Sequence, residues 1–545
     1  MVSNKPCHSW VGGLALATLA VLTGCGGGRS GPPASPGSSL CAPLPTTDGH
    51  EPPCNPFLGS SVWSSPHRGS YAQGSSPLPG PISAEGLEYR RTRGIFESPT
   101  IYSISEPYPD GGRTIWFSSV SIPQAYSVYK LDYDSLEVLG HTDIRDEGGS
   151  PSPVSTTSGV YNLLMRGNRL VALRERSIGI YGDIEPGRRQ SDIALLQRFD
   201  PPASAFCRDS DRIVGLTLLY GGEIAYATSN GVVGVLPSDP EQMNAAQLRT
   251  WSINGEACND ATIEDEDLEQ VTNSISADED GGIYVVSTRA LYQFRYSAGQ
   301  LSQGWRTEYR SGGGSGGTTL SSGSGSTPDV VGTHPGDDQL VVITDGQRLM
   351  HLVMMWRNEI PEDWPGIAPG RDRRIACEFP VTFGDPSATR SISEQSVLTR
   401  GYAAVVVNNA MALDPLLALL PDTGLNQILA LLGQLPWNQP RGVERIDWDP
   451  ATRTCRSVWS NRRASIPNGV PTLSVASGMV YGISAVNGVW GLLGLDFATG
   501  EQRFFARSTA LPTDNSFFAA TVVGPEGRVL TGTVTGLGAF VPKSP

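Results

Sequence analysis

An all-β chain assembled from repeated four-stranded sheets is predicted by three features of the sequence. Charged residues are only 17 % of 545, whereas Gly (64) and Pro (42) are abundant; turn formers at that density suit many short strands and few helices. Runs rich in β-branched and aromatic residues recur about every 40 residues, separated by Gly, Asn, Asp and Ser turn signals. Residues 470–507 show the unit most clearly. Four short apolar runs, 471–475, 478–483, 489–497 and 502–506, are punctuated by Ala476-Ser477-Gly478, Val486-Asn487-Gly488 and Ala498-Thr499-Gly500. An up-and-down sheet of four strands and about 40 residues is the size of one propeller blade.

The same unit can be followed along the chain. The first runs from 99 to 144, with strands at 115–117 and 129–133. The second, 153–199, has strands at 159–161 and 169–173, and the third, 212–253, a strand at 223–228 followed by an Asn230-Gly231 hairpin turn. The fourth opens at Asn273 and closes at 304–306; the fifth opens at 326–329, with strands at 339–344 and 350–356. The sixth opens at 393–397, continues at 403–407 and resumes at 443–448. The seventh is 470–507. The eighth, 515–541, supplies only three strands, and a spare strand at 87–95 completes it, so that the chain ends interlock and no sheet edge stays open. The predicted fold is an eight-bladed β-propeller. Seven blades is the competing count, because the second and third units are ragged, and two stacked β-sandwiches is the competing architecture. An even period without a mid-chain linker favours the ring.

The sixth unit is interrupted by residues 413–437, the one leucine-dense, helix-patterned piece of the sequence. It reads either as a short helical hairpin packed over the propeller or as an apolar finger that presents Leu416, Leu420, Ile428 and Leu432 to lipid or to a partner.

The amino terminus is an address. Lys5 precedes an apolar run at 11–22, too short to span a membrane, which ends in Leu22-Thr23-Gly24-Cys25. That ending resembles the lipobox of bacterial lipoproteins, which implies a signal peptide over 1–24, lipid on Cys25 and attachment to the cell envelope; Gly26 rather than Asp after the Cys implies the outer membrane. Residues 25–86 are then a tether and a proline-rich lead-in, with the propeller at 87–545. Residues 26–56 hold almost no aliphatic side chains and read as flexible.

Of eight cysteines, Cys7 leaves with the signal and Cys25 carries lipid. Cys41, Cys54, Cys207, Cys258, Cys377 and Cys455 remain, which in an exported chain suggests disulfides. Sequence order gives 41–54, 207–258 and 377–455, one of fifteen pairings. No Cys-x-x-Cys spacing is present for a metal cluster or a c-type haem. A net charge of −14 argues against nucleic acid as a partner.

The phrase Leu495-Asp496-Phe497-Ala498-Thr499-Gly500-Glu501 resembles a turn that recurs in blades of the PQQ-like (quinoprotein-type) propeller superfamily. The wider sequence resembles a group of exported bacterial propeller lipoproteins. True quinoprotein dehydrogenases of the superfamily carry an adjacent pair of cysteines and a Trp floor for the quinone. No two cysteines are adjacent here, so PQQ is not expected and the resemblance concerns the architecture of residues 95–541.

Propeller ligands sit at the mouth of the central channel, on loops leading into the innermost strands. Asn273 before Ile275-Ser276-Ala277-Asp278 resembles the opening of blades in the gluconolactonase and regucalcin propellers, where the Asn is a metal ligand; Ser274 stands where that pattern has Gly. Glu394 and Asn515 hold the same offset in blades six and eight. One carboxylate and two amide carbonyls suit Ca²⁺ or Mg²⁺, although Asn also opens strands for turn reasons alone. The acidic run 256–269, with Asp260, Glu264, Asp265, Glu266, Asp267 and Glu269, lacks EF-hand spacing and reads as a solvated loop or a Ca²⁺ site. The glycine-rich loop 311–326 has no phosphate-binding signature, and no serine-hydrolase motif accompanies His50, His67, His141, His334 or His351. His67 and Arg68, near Tyr71 in the lead-in, are candidates to cover the channel mouth. The expected function is that of a membrane-anchored binding or assembly module for a protein or a hydrophobic small molecule. The alternatives are a metal-dependent hydrolase or lactonase using Asn273, Glu394 and Asn515, and a degenerate PQQ-like propeller without cofactor.

Overall fold

A computed structural model of the chain describes residues 48–59, 69–120, 126–144, 160–312, 323–413 and 431–543. Within them eight sheets follow one another along the sequence, seven of four strands and one of five. The innermost strands are Tyr102–Ile104, Asn162–Met165, Ile213–Leu218, Ser276–Ala277, Asp329–Val331, Leu398–Arg400, Thr472–Ser474 and Thr521–Val523. Successive innermost strands lie side by side, with the short strand Ser75–Ser76 interposed between those of blades 6 and 7. The eighth meets the first where the Ala520 N–H donates to the Thr100 carbonyl at 2.9 Å. The protein is an eight-bladed β-propeller.

Closure follows the predicted device. Blade 8 takes three strands from the carboxy terminus, and Leu87–Arg91 adds the fourth, antiparallel to Gly536–Pro542 with Tyr89 opposite Phe540. Their rings lie 5.1 Å apart, and the Tyr89 ring covers Gly538, where a Cβ would collide with it. The register therefore fixes both ends of the chain in one sheet.

Local chemistry explains the turns. In the stretch that revealed the repeat, the Asp496 carboxylate accepts the N–H groups of Ala498 (2.9 Å) and Thr499 (3.0 Å), an Asx-type turn. Gly500 follows at φ +72°, packed against Trp459 of blade 6 so closely that no side chain fits. Asp132 repeats the device in blade 1 with the N–H groups of Asp134 and Ser135. Second strands such as Gly282–Val286, Leu340–Thr344 and Ala403–Val407 are buried from end to end, whereas outermost strands such as Gln300–Glu308 are largely exposed. The core consequently lies between blades. Between blades 5 and 6 it is aromatic, with Trp356 5.7 Å from Trp448 and 5.9 Å from Trp364.

Two disulfides have the expected partners, Cys207–Cys258 and Cys377–Cys455. The second joins the outermost strands of neighbouring blades, Ile375–Pro380 and Thr454–Asn461. Cys54 is also disulfide-bonded.

Three expectations need correction or lie out of reach. Blade 6 is interrupted between Ala403–Val407 and Val443–Asp449 as expected. The described part of the insertion, however, holds a 3₁₀ turn, Leu431–Gln434, and no longer helix; Cys25, Cys41, His67, Arg68, Leu416, Leu420 and Ile428 fall outside the described residues. The first strand of blade 2 is Asn162–Met165, not 159–161. The propeller also begins before residue 87. Residues 51–58 and 69–81, read as tether and lead-in, are built into the ring because their backbone groups pair with it.

Replacing Cys377 and Cys455 together by Ser is expected to cost about 2–4 kcal/mol, the usual contribution of a long-range disulfide. Thermal unfolding under oxidising conditions measures it, and hydrogen exchange should report the loss at blades 5 and 6 first.

Candidate functional site

The strands of a propeller leave two unlike faces. One carries the turns joining first to second and third to fourth strands; the other carries the loops that lead into each innermost strand and those joining second to third strands. We call them the turn face and the loop face.

On the turn face the channel is filled by the lead-in. An innermost strand has no neighbour on its channel side, so its backbone groups need partners. The lead-in supplies them blade by blade. Ala277 donates to the Ser70 carbonyl (2.8 Å), Val330 to Tyr71 (2.9 Å), Thr399 to Gln73 (2.9 Å) and Val475 to Ser76 (2.8 Å). Ser75–Ser76 then runs parallel to Thr472–Ser474, making blade 7 the five-stranded sheet. Earlier residues reach blades 2 and 3: the Arg166 N–H donates to Phe57, and the buried Asn55 amide donates to Leu218 and Leu219.

Two side-chain keys hold this plug. The Arg357 guanidinium, fully buried, donates to the Tyr71 hydroxyl at 2.9 Å and lies over the Tyr71 ring, while that hydroxyl donates to Glu279. Burial drives the Tyr71 phenol well above its ordinary value of 10.0, so it stays neutral. The second key is Arg400, almost wholly buried, which pairs with Asp48 and with Glu51 at 2.7 Å. Tyr71 thus ties the lead-in to blades 4 and 5, whereas His67 and Arg68, the residues expected at the channel mouth, lie outside the described residues.

The wall of the channel is polar at several points. On the innermost strands, the hydroxyls of Ser276, Thr399 and Thr521 and both carboxylate oxygens of Asp329 are buried without a hydrogen-bond partner among the described residues. The Thr399 hydroxyl faces Asp329 without closing a well-formed bond. Burial lifts the Asp329 carboxyl well above 3.8. Groups of this kind take up ordered water or the polar atoms of a ligand. The sequence offered one signal for Asp329, an acidic residue where a blade's innermost strand begins, but not its burial.

The loop face carries the three expected metal ligands, in blades 4, 6 and 8. Each is tied into a belt that links neighbouring blades. The Asn273 amide donates to the Ser324 carbonyl of blade 5 (2.8 Å). The backbone of Glu394 is held by Asn409, which donates in turn to Pro467 (2.8 Å). Asn515 is fully buried, and its side-chain carbonyl accepts from Asn468 (3.0 Å) and from the Phe517 N–H (2.9 Å). Two of the three residues therefore act visibly as latches.

Next to Asn515 the backbone is strained. Phe517 and Phe518 both have positive φ, 37° and 61°, unusual for bulky side chains, and their half-buried rings meet edge to face at 5.6 Å. The blade 6 insertion has its two described ends on the same face. Its foot is fixed by Gln434, which accepts the Trp490 indole N–H (2.7 Å), and by Gln439, which donates to Ala485 (2.6 Å). Leu432 there is half-buried, and Trp437 is 62 % exposed.

The remaining candidates have plainer roles. In the acidic run, Asp265 pairs with Arg208 (2.7 Å) and the buried Glu269 with Arg306 (2.9 Å), while Asp260, Glu264, Glu266 and Asp267 are exposed. His351 hydrogen-bonds Asp345 (2.8 Å) and the His141 ring packs tilted against Tyr129. On the outer turn face a cleft of about 660 Å³ lies between blades 4 and 5, lined by Arg295, Asp337, Asn358 and Glu359 among others.

Two substitutions probe this assembly. Tyr71→Phe removes a partner from a buried guanidinium whose Nε and Nη2 already lack hydrogen bonds, and should cost about 1–3 kcal/mol in chemical denaturation. Asp329→Asn works in the opposite sense. Because the folded carboxyl holds its proton above 3.8 while the unfolded one releases it, wild-type stability falls as pH rises beyond that value. The Asn variant lacks this slope, so melting curves should show it more stable than wild type at neutral pH, with the gap narrowing toward pH about 4.

No protein-family model matches the chain. Among solved structures, a quinohemoprotein alcohol dehydrogenase of Pseudomonas putida superposes with a TM-score of 0.52 at 12 % identity, covering 89 % of this chain and 81 % of that one. A europium-containing methanol dehydrogenase does so with a TM-score of 0.52 at 10 % identity, covering 88 % and 97 %. These likenesses are of fold, and at such low identity they show the eight-bladed propeller architecture alone. An "Uncharacterized protein" of Archaeoglobus fulgidus is 42 % identical over 489 residues, 89 % of this chain and 88 % of that one. At that identity over nearly the whole of both chains, this protein belongs to the same family as the Archaeoglobus fulgidus protein.

Proposed function

We propose that the protein is a lipid-anchored propeller of the cell envelope that binds a protein or a hydrophobic ligand through its loop face. The carrying observation is the division of labour between the faces. The turn-face end of the channel is occupied by the chain's own lead-in, hydrogen-bonded to blades 2 to 7. The loop face instead gathers a strained Phe517–Phe518 pair, an exposed Trp437 and both feet of a leucine-dense insertion. Strained aromatic residues and exposed apolar side chains clustered on loops above a rigid scaffold suit recognition.

The metal-dependent hydrolase reading is less favoured, because Asn273 and Asn515 are engaged in holding blades together. A quinone cofactor forms no part of the proposal, since no two cysteines are adjacent in the sequence. The anchor rests on Leu22-Thr23-Gly24-Cys25 and the apolar run before it.

A photo-crosslinking amino acid placed at Phe518 or Trp437 in cells should give a discrete adduct, whereas one at Val458, exposed on an outermost strand, should not. In a Cys25→Ser background the chain should also lose fatty-acid labelling and leave the membrane fraction. Equal adduct patterns from the loop-face positions and from Val458, or membrane retention of the Cys25→Ser chain, would refute the respective half of the proposal.

A further inference from the structure

We infer that His50, His334 and Asp337 form a binding site for a zinc-class divalent metal ion, which clips the lead-in to blade 5. The candidate ligand atoms of these three residues all lie within 4.8 Å of one another. An ion held at about 2.0–2.2 Å by each brings its ligands to within roughly 3–4 Å of one another, so a shift of about an ångström closes the site. The His334 side chain is 53 % exposed and can make that shift by changing rotamer.

The two halves of the cluster are positioned independently, before any ion binds. His50 belongs to the lead-in. Its N–H donates to Asp48 (3.2 Å), whose carboxylate is held by the buried Arg400, and its ring lies against Gly401 at φ +56°, where a Cβ would meet the imidazole at 2.9 Å. His334 and Asp337 belong to the turn after the innermost strand of blade 5. That turn is closed by the Asp337 N–H on the His334 carbonyl (3.1 Å). It is also closed by the Asp337 carboxylate, which accepts from Thr333 (3.1 Å) and His334 (3.0 Å). The rings of His50 and His334 stand edge to face at 6.5 Å.

The donor chemistry selects the ion. Two imidazoles and one carboxylate suit Zn²⁺, Co²⁺ or Ni²⁺ rather than Ca²⁺ or Mg²⁺, which take oxygen ligands. The Thr333 hydroxyl lies 3.0 Å from His334 Nδ1, the nitrogen that also stands 3.6 Å from the Asp337 carboxylate, a partner that helps to orient the ring toward the cluster. Three protein ligands leave at least one position open, and Asp337 also lines the 660 Å³ cleft between blades 4 and 5. The site is separate from Asn273, Glu394 and Asn515, which lie on the opposite face. Neither its chemistry nor its test depends on the loop-face proposal.

The experiment uses the purified full-length protein in detergent, stripped with chelator and titrated with Zn²⁺ alone. One Zn²⁺ per chain should bind, raise the melting temperature and slow proteolysis within the lead-in, while Mg²⁺ does none of these. Co²⁺ should give the visible absorption of an imidazole-ligated site. His50→Ala and His334→Ala should each weaken Zn²⁺ binding about tenfold or more and remove the Co²⁺ bands, with far-UV circular dichroism unchanged. Asp337→Asn, which keeps an acceptor for the turn, should weaken binding without loosening the fold. Absence of stoichiometric Zn²⁺ binding, or Zn²⁺ and Co²⁺ signals that survive in the His50→Ala, His334→Ala double variant, would overturn the inference.

Discussion

The ring depends on satisfying the channel-side edges of its innermost strands. Each blade completes its own hydrogen bonding outward, but the strand nearest the axis has no partner on its other side. Buried backbone groups left in that condition cost as much as lost hydrogen bonds. The lead-in meets this need with its own main chain, passing the strands in turn from Ser70 beside blade 4 to Ser76 beside blade 7. Because the pairing is made through backbone atoms, it asks little of side-chain identity, and a stretch rich in Gly, Ser and Pro serves well.

Once the plug is in place it changes what the two faces can do. The turn face is occupied at its centre and locked by buried charge, Arg357 on Tyr71 and Arg400 on Asp48 and Glu51. A buried guanidinium is costly unless partnered, so these keys tie the lead-in to one position. The loop face is held differently, by a belt of amide side chains in which Asn273, Gln395 and Asn468 each reach the next blade, the last ending on Asn515. That belt stiffens the rim on which Phe517, Phe518 and the insertion sit.

Blade-to-blade cohesion draws on a second set of contacts at larger radius. The Trp356, Trp364 and Trp448 cluster fills the space between blades 5 and 6, and Cys377–Cys455 spans the same pair near the outside. Edge-to-face aromatic packing and a covalent link thus reinforce the blades on either side of which the long insertion and the lead-in's charged key are attached.

The sequence by itself determined the repeat and pointed to its closure, while leaving eight blades in competition with seven. Period-2 apolar runs and Asx-Gly turns are local signals, and they survive without any partner, so the strands of blade 7 and the pairing of Leu87–Arg91 with the last blade could be read from residues alone. Order along the chain suggested Cys207–Cys258 and Cys377–Cys455 as one of fifteen pairings, and the structure has both. Only the tertiary structure decided what fills the channel and which polar residues gather there. Residues 69–81 look like a linker because their hydrogen bonds go to strands hundreds of positions away, and no local pattern encodes such partners. Asp329, His50 with His334, and the latch roles of Asn273 and Asn515 stayed hidden for the same reason: burial and proximity are properties of the closed ring, created when the eighth blade meets the first.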